Sequence, residues 1–196
     1  MRTSIKIQLV SALLLAIAII PANTFAKEKT PVTLSGNSSI RKIALKGNIE
    51  VILVQRSFDG VSYTDDNTGT AKVVRKGDVL QITGTSKEPG KLFVYVQEIY
   101  RIEAEDDVVV KTEDRLTTKF LQIFLKGNAQ ADINTNTQGL FTVMHDYASL
   151  KLSGSSNNHT LVMSKKQKLT SDNFVALNTD IIAPENLTVD NEIAAF

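Results

Sequence analysis

The chain has 196 residues, 22 Lys and Arg against 21 Asp and Glu, and no cysteine. That length suits one domain with an ample core. The charge balance and the lack of a basic, aromatic-interleaved patch exclude a nucleic-acid footprint. The missing thiol excludes disulfides, thiolate metal sites, a cysteine nucleophile and an acylated lipoprotein anchor.

Residues 1–26 read as a secretory signal peptide. Arg2 and Lys6 form the positive start, Leu9 to Ile20 the apolar run, and Thr24-Phe25-Ala26 the small-residue cleavage site. An uncleaved anchor is the alternative, but the run is short for a span of about 20 residues. Cleavage leaves 27–196 as a single near-neutral domain with no further membrane-spanning stretch. Lys27 to Pro31 is a polar lead-in.

Strand signals follow. Ile43-Ala44-Leu45-Lys46-Gly47-Asn48 is echoed by Ile123-Phe124-Leu125-Lys126-Gly127-Asn128, and more loosely at 32–37 and 150–155. Two apolar residues two apart mark one face of a strand, and the glycine supplies a positive-φ corner. Gly127 is expected at such a corner, with the Asn128 amide turned towards backbone groups there. Ile49 to Val54 reads as a buried strand from its β-branched content. Val61 to Thr64 is a short strand, and Asp65 to Gly69 a turn. Ala71–Arg75 and Val79–Thr83 flank Lys76-Gly77-Asp78 as a hairpin. Lys91 to Val96 is a strand with Leu92, Val94 and Val96 on one face and Phe93 and Tyr95 on the other.

From Ile102 the texture changes to short apolar pieces separated by polar corners. Clusters near Ile102, Ile123, Val143, Leu161 and Ile181 are spaced by 21, 20, 18 and 20 residues. This is the period of a solenoid coil built from three short strands. Gly127 to Gly154 spans 27 residues, which one coil plus one face would explain. Asn128, Asn134, Asn136, Asn157, Asn158, Asn173 and Asn178 crowd the polar stretches, as a stacked ladder or as ordinary turns.

Gly47-Asn48-Ile49-Glu50-Val51, the 76–82 hairpin and the Leu-x-Leu-Ser-Gly-Ser corner at 150–155 resemble the head GIN domain family, putative autotransporter adhesin head domains of Bacteroidetes-type bacteria. The resemblance runs over roughly 32–190. It implies an all-β, right-handed parallel β-helix at the cell surface or in the periplasm, with an adhesin-like role, and it brings no catalytic residues.

No catalytic set stands out from the residues themselves. The histidines are His145 and His159. Neither accompanies a nucleophile elbow. A polysaccharide lyase or hydrolase on the same fold is the rival reading. Its carboxylates would come from Glu103, Glu105, Asp106 and Asp107, with Ca²⁺ or acid–base work, although a solvated coil edge is the favoured explanation of that cluster. Asp65-Asp66-Asn67 lacks the further spacing of a calcium loop. A glycan platform would draw on Tyr63, Phe93, Tyr95, Tyr100, Phe120 and Tyr147, most of which strand spacing assigns to the core. The sequence therefore assigns no catalytic, cofactor or metal residue and names no ligand-binding residue. It points to an exported, non-enzymatic binding module, the second half a parallel β-helix and the first half containing a hairpin. A surface glycan or another envelope protein is the expected partner, and the oligomeric state is left open.

Overall fold

The structure is a computed structural model and describes residues 32–34, 39–64 and 70–186. The expected signal peptide, the 27–31 lead-in and the Asp65–Gly69 turn lie outside these residues. The described chain is all-β: thirteen strands in one curled, mixed sheet, followed by a 3₁₀ turn at Pro184–Asn186.

The second half is parallel throughout. β8 (Arg101–Asp106) pairs with the end of β10 (Leu116–Gly127), and β10 pairs with β11 (Gln130–Met144). β12 (Ser149–Val162) follows on β11, and β13 (Lys168–Ile182) on β12. The register aligns Ile102, Ile123, Thr142, Leu161 and Ile181 in one column, so the chain returns every 19–21 residues. The inward position in β11 is Thr142, not the expected Val143. Leu140 and Met144 belong to the main core, which fixes the alternation, while Phe141, Val143 and Val162 form a second cluster with Phe124 and Ile182. Reading Val143 as the period marker fails because this strand buries apolar side chains on both faces.

A second column runs through Val51, Val110, Ala131, Leu150 and Leu169. Its members come from β3 (Ile49–Gln55), β9 (Val109–Thr112) and the first residues of β11, β12 and β13. Enclosing such side chains is what holds the stack. Each buried Leu, Ile or Val contributes about 1.5–3 kcal/mol relative to exposure.

In the first half, passes are not stacked in chain order. β2 (Lys42–Lys46) and β3 pair with β8 and β9 on one side. On their other side lie β6 (Val79–Gly84) and β7 (Gly90–Val96). The first pass is therefore held between the second and the third. The expected hairpin is present: β5 (Ala71–Lys76) pairs antiparallel with β6 around Gly77-Asp78. β4 (Gly60–Tyr63) and β1 (Val32–Thr33) add antiparallel strands beyond β7. At that end the last parallel strands, β6 and β7, are thus flanked by antiparallel neighbours, β5 and β4.

One corner recurs as the chain leaves the first column for the second. Gly47, Asp106, Gly127 and Asp146 sit there with φ of 88°, 69°, 71° and 56°. The expected conformation of Gly127 is observed. The Asn128 amide, however, donates to the Asp107 side chain at 2.9 Å, not to backbone; it is the Asn128 N–H that reaches the Asp106 carbonyl, at 3.0 Å. Asp tolerates the left-handed region better than most residues, which is why the corner persists where glycine does not. Gly154, at φ 97°, serves a different corner further along β12, one pass and one side beyond Gly127.

Candidate functional site

The acidic cluster is taken up by the stack itself. Glu103 receives Lys42 Nζ at 2.8 Å and Arg101 Nε at 2.6 Å. Glu105 lies between Lys46 Nζ at 3.0 Å and Lys126 Nζ at 3.3 Å, one lysine from each neighbouring pass. Hydrogen bonds from those lysines hold its carboxyl below the usual range and raise Lys46. Asp106 turns the corner and Asp107 accepts from Asn128. Glu50 repeats the arrangement between Lys91 and Lys111. Partial burial pushes the Glu50 carboxyl up, but the Lys111 hydrogen bond and both lysine charges outweigh it, and the net shift is downward. Opposite charges on adjacent passes favour this pairing. Among the described residues no three His, Asp or Glu side chains gather as metal ligands.

The histidines are apart from one another in role. His145 follows β11 and donates its backbone N–H to Leu125. His159 is buried inside, its Nε2 3.2 Å from Thr142 Oγ1 and its ring edge-on to Phe174. Burial lowers its pKa from 6.5 to about 4. The unfolded chain therefore binds a proton below pH 6.5 that the native state refuses until about pH 4. Stability is complete above pH 6.5 and falls as pH drops through this window, by at most about 3 kcal/mol. Urea melts from pH 7 to 4.5 should show this loss, and His159→Leu should flatten it. A slope unchanged by the substitution would assign the loss to other groups. The low-shifted Glu50 and Glu105 act only below the ordinary carboxylate range, so they do not obscure the test.

The expected aromatic candidates divide. Tyr95 is buried and stacks on Phe58, with ring centroids 5.3 Å apart. Tyr63 donates its hydroxyl to the Ala71 carbonyl, and Phe93 is half-buried. Tyr147 is exposed beside the corner at Asp146. Tyr100 and Phe120 are brought together in a groove of ≈ 660 Å³.

This groove lies where the first residues of β10 and the middle of β11 and β12 form a third side. Thr117, Asn136 and Ser155 share one register position there. Asn136, Gln138 and Asn157 line it with amides, Thr117 and Thr118 with hydroxyls. Arg41 stands 5.0 Å from the Tyr100 ring centroid and Lys119 5.3 Å from that of Phe120. Glu98 is the carboxylate in the lining. A smaller recess continues it past Phe120 to Asn158 and Thr160. Phe120 can lie against the sheet because its register partner is Gly139. A Cβ at Gly139 would come within 2.9 Å of the Phe120 ring.

Beneath the groove the interior turns polar. Thr135 Oγ1 donates to the Leu116 carbonyl, and Thr137 Oγ1 to Ser156 Oγ, each at 3.0 Å. Satisfied buried hydroxyls of this kind fix the register of the third side. The asparagine ladder exists as a single step, Asn178 Nδ2 to Asn158 Oδ1 at 3.0 Å. Asn136 instead accepts from Ser155, and Asn134 from Arg115. Sequence reading missed Arg41, Glu98, Thr117, Lys119 and Gln138 as groove residues. None belongs to a local motif, and only the pass-to-pass register joins position 41 to position 157.

Residues 39–183 match a family profile described as "Putative auto-transporter adhesin, head GIN domain". No curated protein matches the chain. Among solved structures, a putative adhesin from Bacteroides fragilis superposes with a TM-score of 0.67 at 19% identity, covering 79% of this chain and 77% of that one. A putative adhesin from Parabacteroides distasonis gives 0.58 at 10% identity, over 81% and 79%. A putative lipid binding protein from the same species gives 0.54 at 10%, over 79% and 78%. At these identities the likeness is one of fold.

Proposed function

We propose, from the premise that the chain belongs to the putative auto-transporter adhesin, head GIN domain family, that it is an exported, non-enzymatic, adhesin-like binding module. Its stacked passes are read as coils of a right-handed parallel β-helix, displayed at the cell surface or in the periplasm. The ligand site is the groove, and the ligand class a glycan.

The observation that carries this reading is the makeup of the groove. Phe120, 37% exposed, offers an apolar face that Gly139 lets lie flat. Amides and hydroxyls from successive passes surround it. Sugar rings present C–H faces to aromatics and hydroxyls to amides, and a rigid strand platform supplies both without reorganisation. The rival reading, a polysaccharide lyase or hydrolase, draws little support here. Glycoside hydrolysis uses a pair of carboxylates, whereas among the described residues the groove lining contributes Glu98 alone. Glu103 and Glu105 are engaged with cations of adjacent strands.

Binding to a glycan array, followed by titration of the best ligand, tests the site. Phe120→Ala and Gln138→Ala should each weaken binding by roughly tenfold, the loss typical of a contact near the centre of an interface. Neither change reaches the main core, so melting should stay near the parent's. Incubation with acidic and neutral polysaccharides, with and without Ca²⁺, should release no reducing or unsaturated ends. Undiminished binding by Phe120→Ala would remove the groove from consideration. Released ends would favour the enzyme.

A further inference from the structure

We propose that β13 is the docking edge for a second copy of this chain, the two copies joining open end to open end through antiparallel pairing of their β13 strands.

The two ends of the stack differ. At one, β5 and β4 lie antiparallel against β6 and β7, and β1 pairs antiparallel with β4, so the last parallel strands are covered by short strands. At the other, β13 pairs with β12 and with no further strand among the described residues. The inward columns show the consequence. Ile102, Ile123, Thr142 and Leu161 are at most 1% exposed, while Ile181, the next member, is 70% exposed. Val175 and Leu177, outward positions on either side of the inward Ala176, are 66% and 75% exposed. A recess of ≈ 750 Å³ opens at this end between Met163, Leu169 and Ile181. Edge strands that must stay single usually carry central charges. From Asn173 to Thr179, β13 carries none.

Charge and facing together select a second copy as the occupant. A two-fold axis through Phe174 places Lys168 of one copy opposite Asp180 of the other, and does so twice. Both are exposed, and their register partners Ser149 and Thr160 show that they lie on outward positions. The same pairing sets Leu169 opposite Thr179 and Phe174 opposite its twin, all in line with inward positions of β12. Asp172 meets Ala176, so no like charges face each other. An isologous contact of this kind closes on itself and leaves neither copy's β13 open, unlike a head-to-tail stack. It also places two ligand grooves on one particle.

Sedimentation of the full chain should give twice the monomer mass. Leu177→Lys and Val175→Lys, at exposed positions, should keep the parent's circular dichroism and sediment as monomers. Lys168→Asp should weaken the dimer at least about tenfold. Adding Asp180→Lys to Lys168→Asp restores the opposite charges and should restore the dimer. Truncation after Asn186 should leave it unchanged. A monomeric parent, a dimer indifferent to Leu177→Lys, or failure of the double charge reversal to restore association would overturn the proposal. A dimer that forms only on truncation would also overturn it, by making the chain's own last ten residues the occupant of the edge.

Discussion

Gly154→Ala should lower stability by about 2–5 kcal/mol, the largest loss expected of a methyl added at any of the described glycines. Two costs combine. The residue sits at φ 97°, where a Cβ is strained by about 1–2 kcal/mol. The added carbon would also fall against the Thr135 carbonyl of the preceding pass. Backbone there is fixed by parallel pairing on both sides, so it yields poorly and overpacking adds about 1–3 kcal/mol. Two other glycines separate these contributions. Gly77, at φ 63°, has nothing within 4 Å of a new Cβ, so Gly77→Ala should cost about 1 kcal/mol, from conformation alone. At Gly127 the Cβ would meet the Asp106 backbone at 3.1 Å, and about 2 kcal/mol is expected. Urea melts of the three variants should rank Gly154, Gly127, Gly77 in falling order of damage. Coincident midpoints for Gly154→Ala and Gly77→Ala would refute the crowding argument.

Asp59→Ala is the second large loss, about 3–4 kcal/mol. Asp59 is 6% exposed and works as a bracket. One carboxylate oxygen accepts the Ile40 N–H at 2.7 Å, the other the Gln97 N–H at 3.1 Å. Its own carbonyl accepts from Leu34 N. It thereby joins the segment entering β2 to the segment leaving β7, 38 residues further on than Asp59 itself. Alanine leaves two N–H groups without their acceptor, each costing about 1–3 kcal/mol if water does not reach it. Asp59→Asn keeps one acceptor and should lose about half as much. Thermal melts of both variants check the order. Equal loss for Asn and Ala would mean that both carboxylate oxygens are needed together.

Much of this was legible in the chain because short-range rules govern it. The hairpin around Gly77-Asp78, the strand at 91–96 and the corners at Gly47 and Gly127 each rest on residues a few positions apart. The return of the chain every 19–21 residues was visible in its apolar spacing, with Thr142 concealed behind Val143. Asp106 and Asp146 were invisible as corners because two residue types satisfy one backbone requirement. Asp59 could not be read at all, since nothing local distinguishes a bracket from a loop aspartate. The groove was half legible. Tyr100 and Phe120 were candidates by type, but Arg41, Gln138 and Asn157 join them only through stacking, which sequence distance does not reveal.

The placement of the first pass between the second and third governs how the chain must assemble. Made from its N-terminus, it produces residues 42–55 before either neighbour exists. Ile43 then waits for Leu80 on one flank and Ile102 on the other. Two bare strand edges are exposed throughout that interval, and closing these wide loops costs entropy before any contact repays it. After Thr112 the problem disappears, because each new pass lands on the one just laid, about 20 residues back. Folding speed is thus set before residue 112, and so is the chain's exposure to aggregation. A chaperone that shields residues 42–55 until residue 112 has emerged would protect the whole.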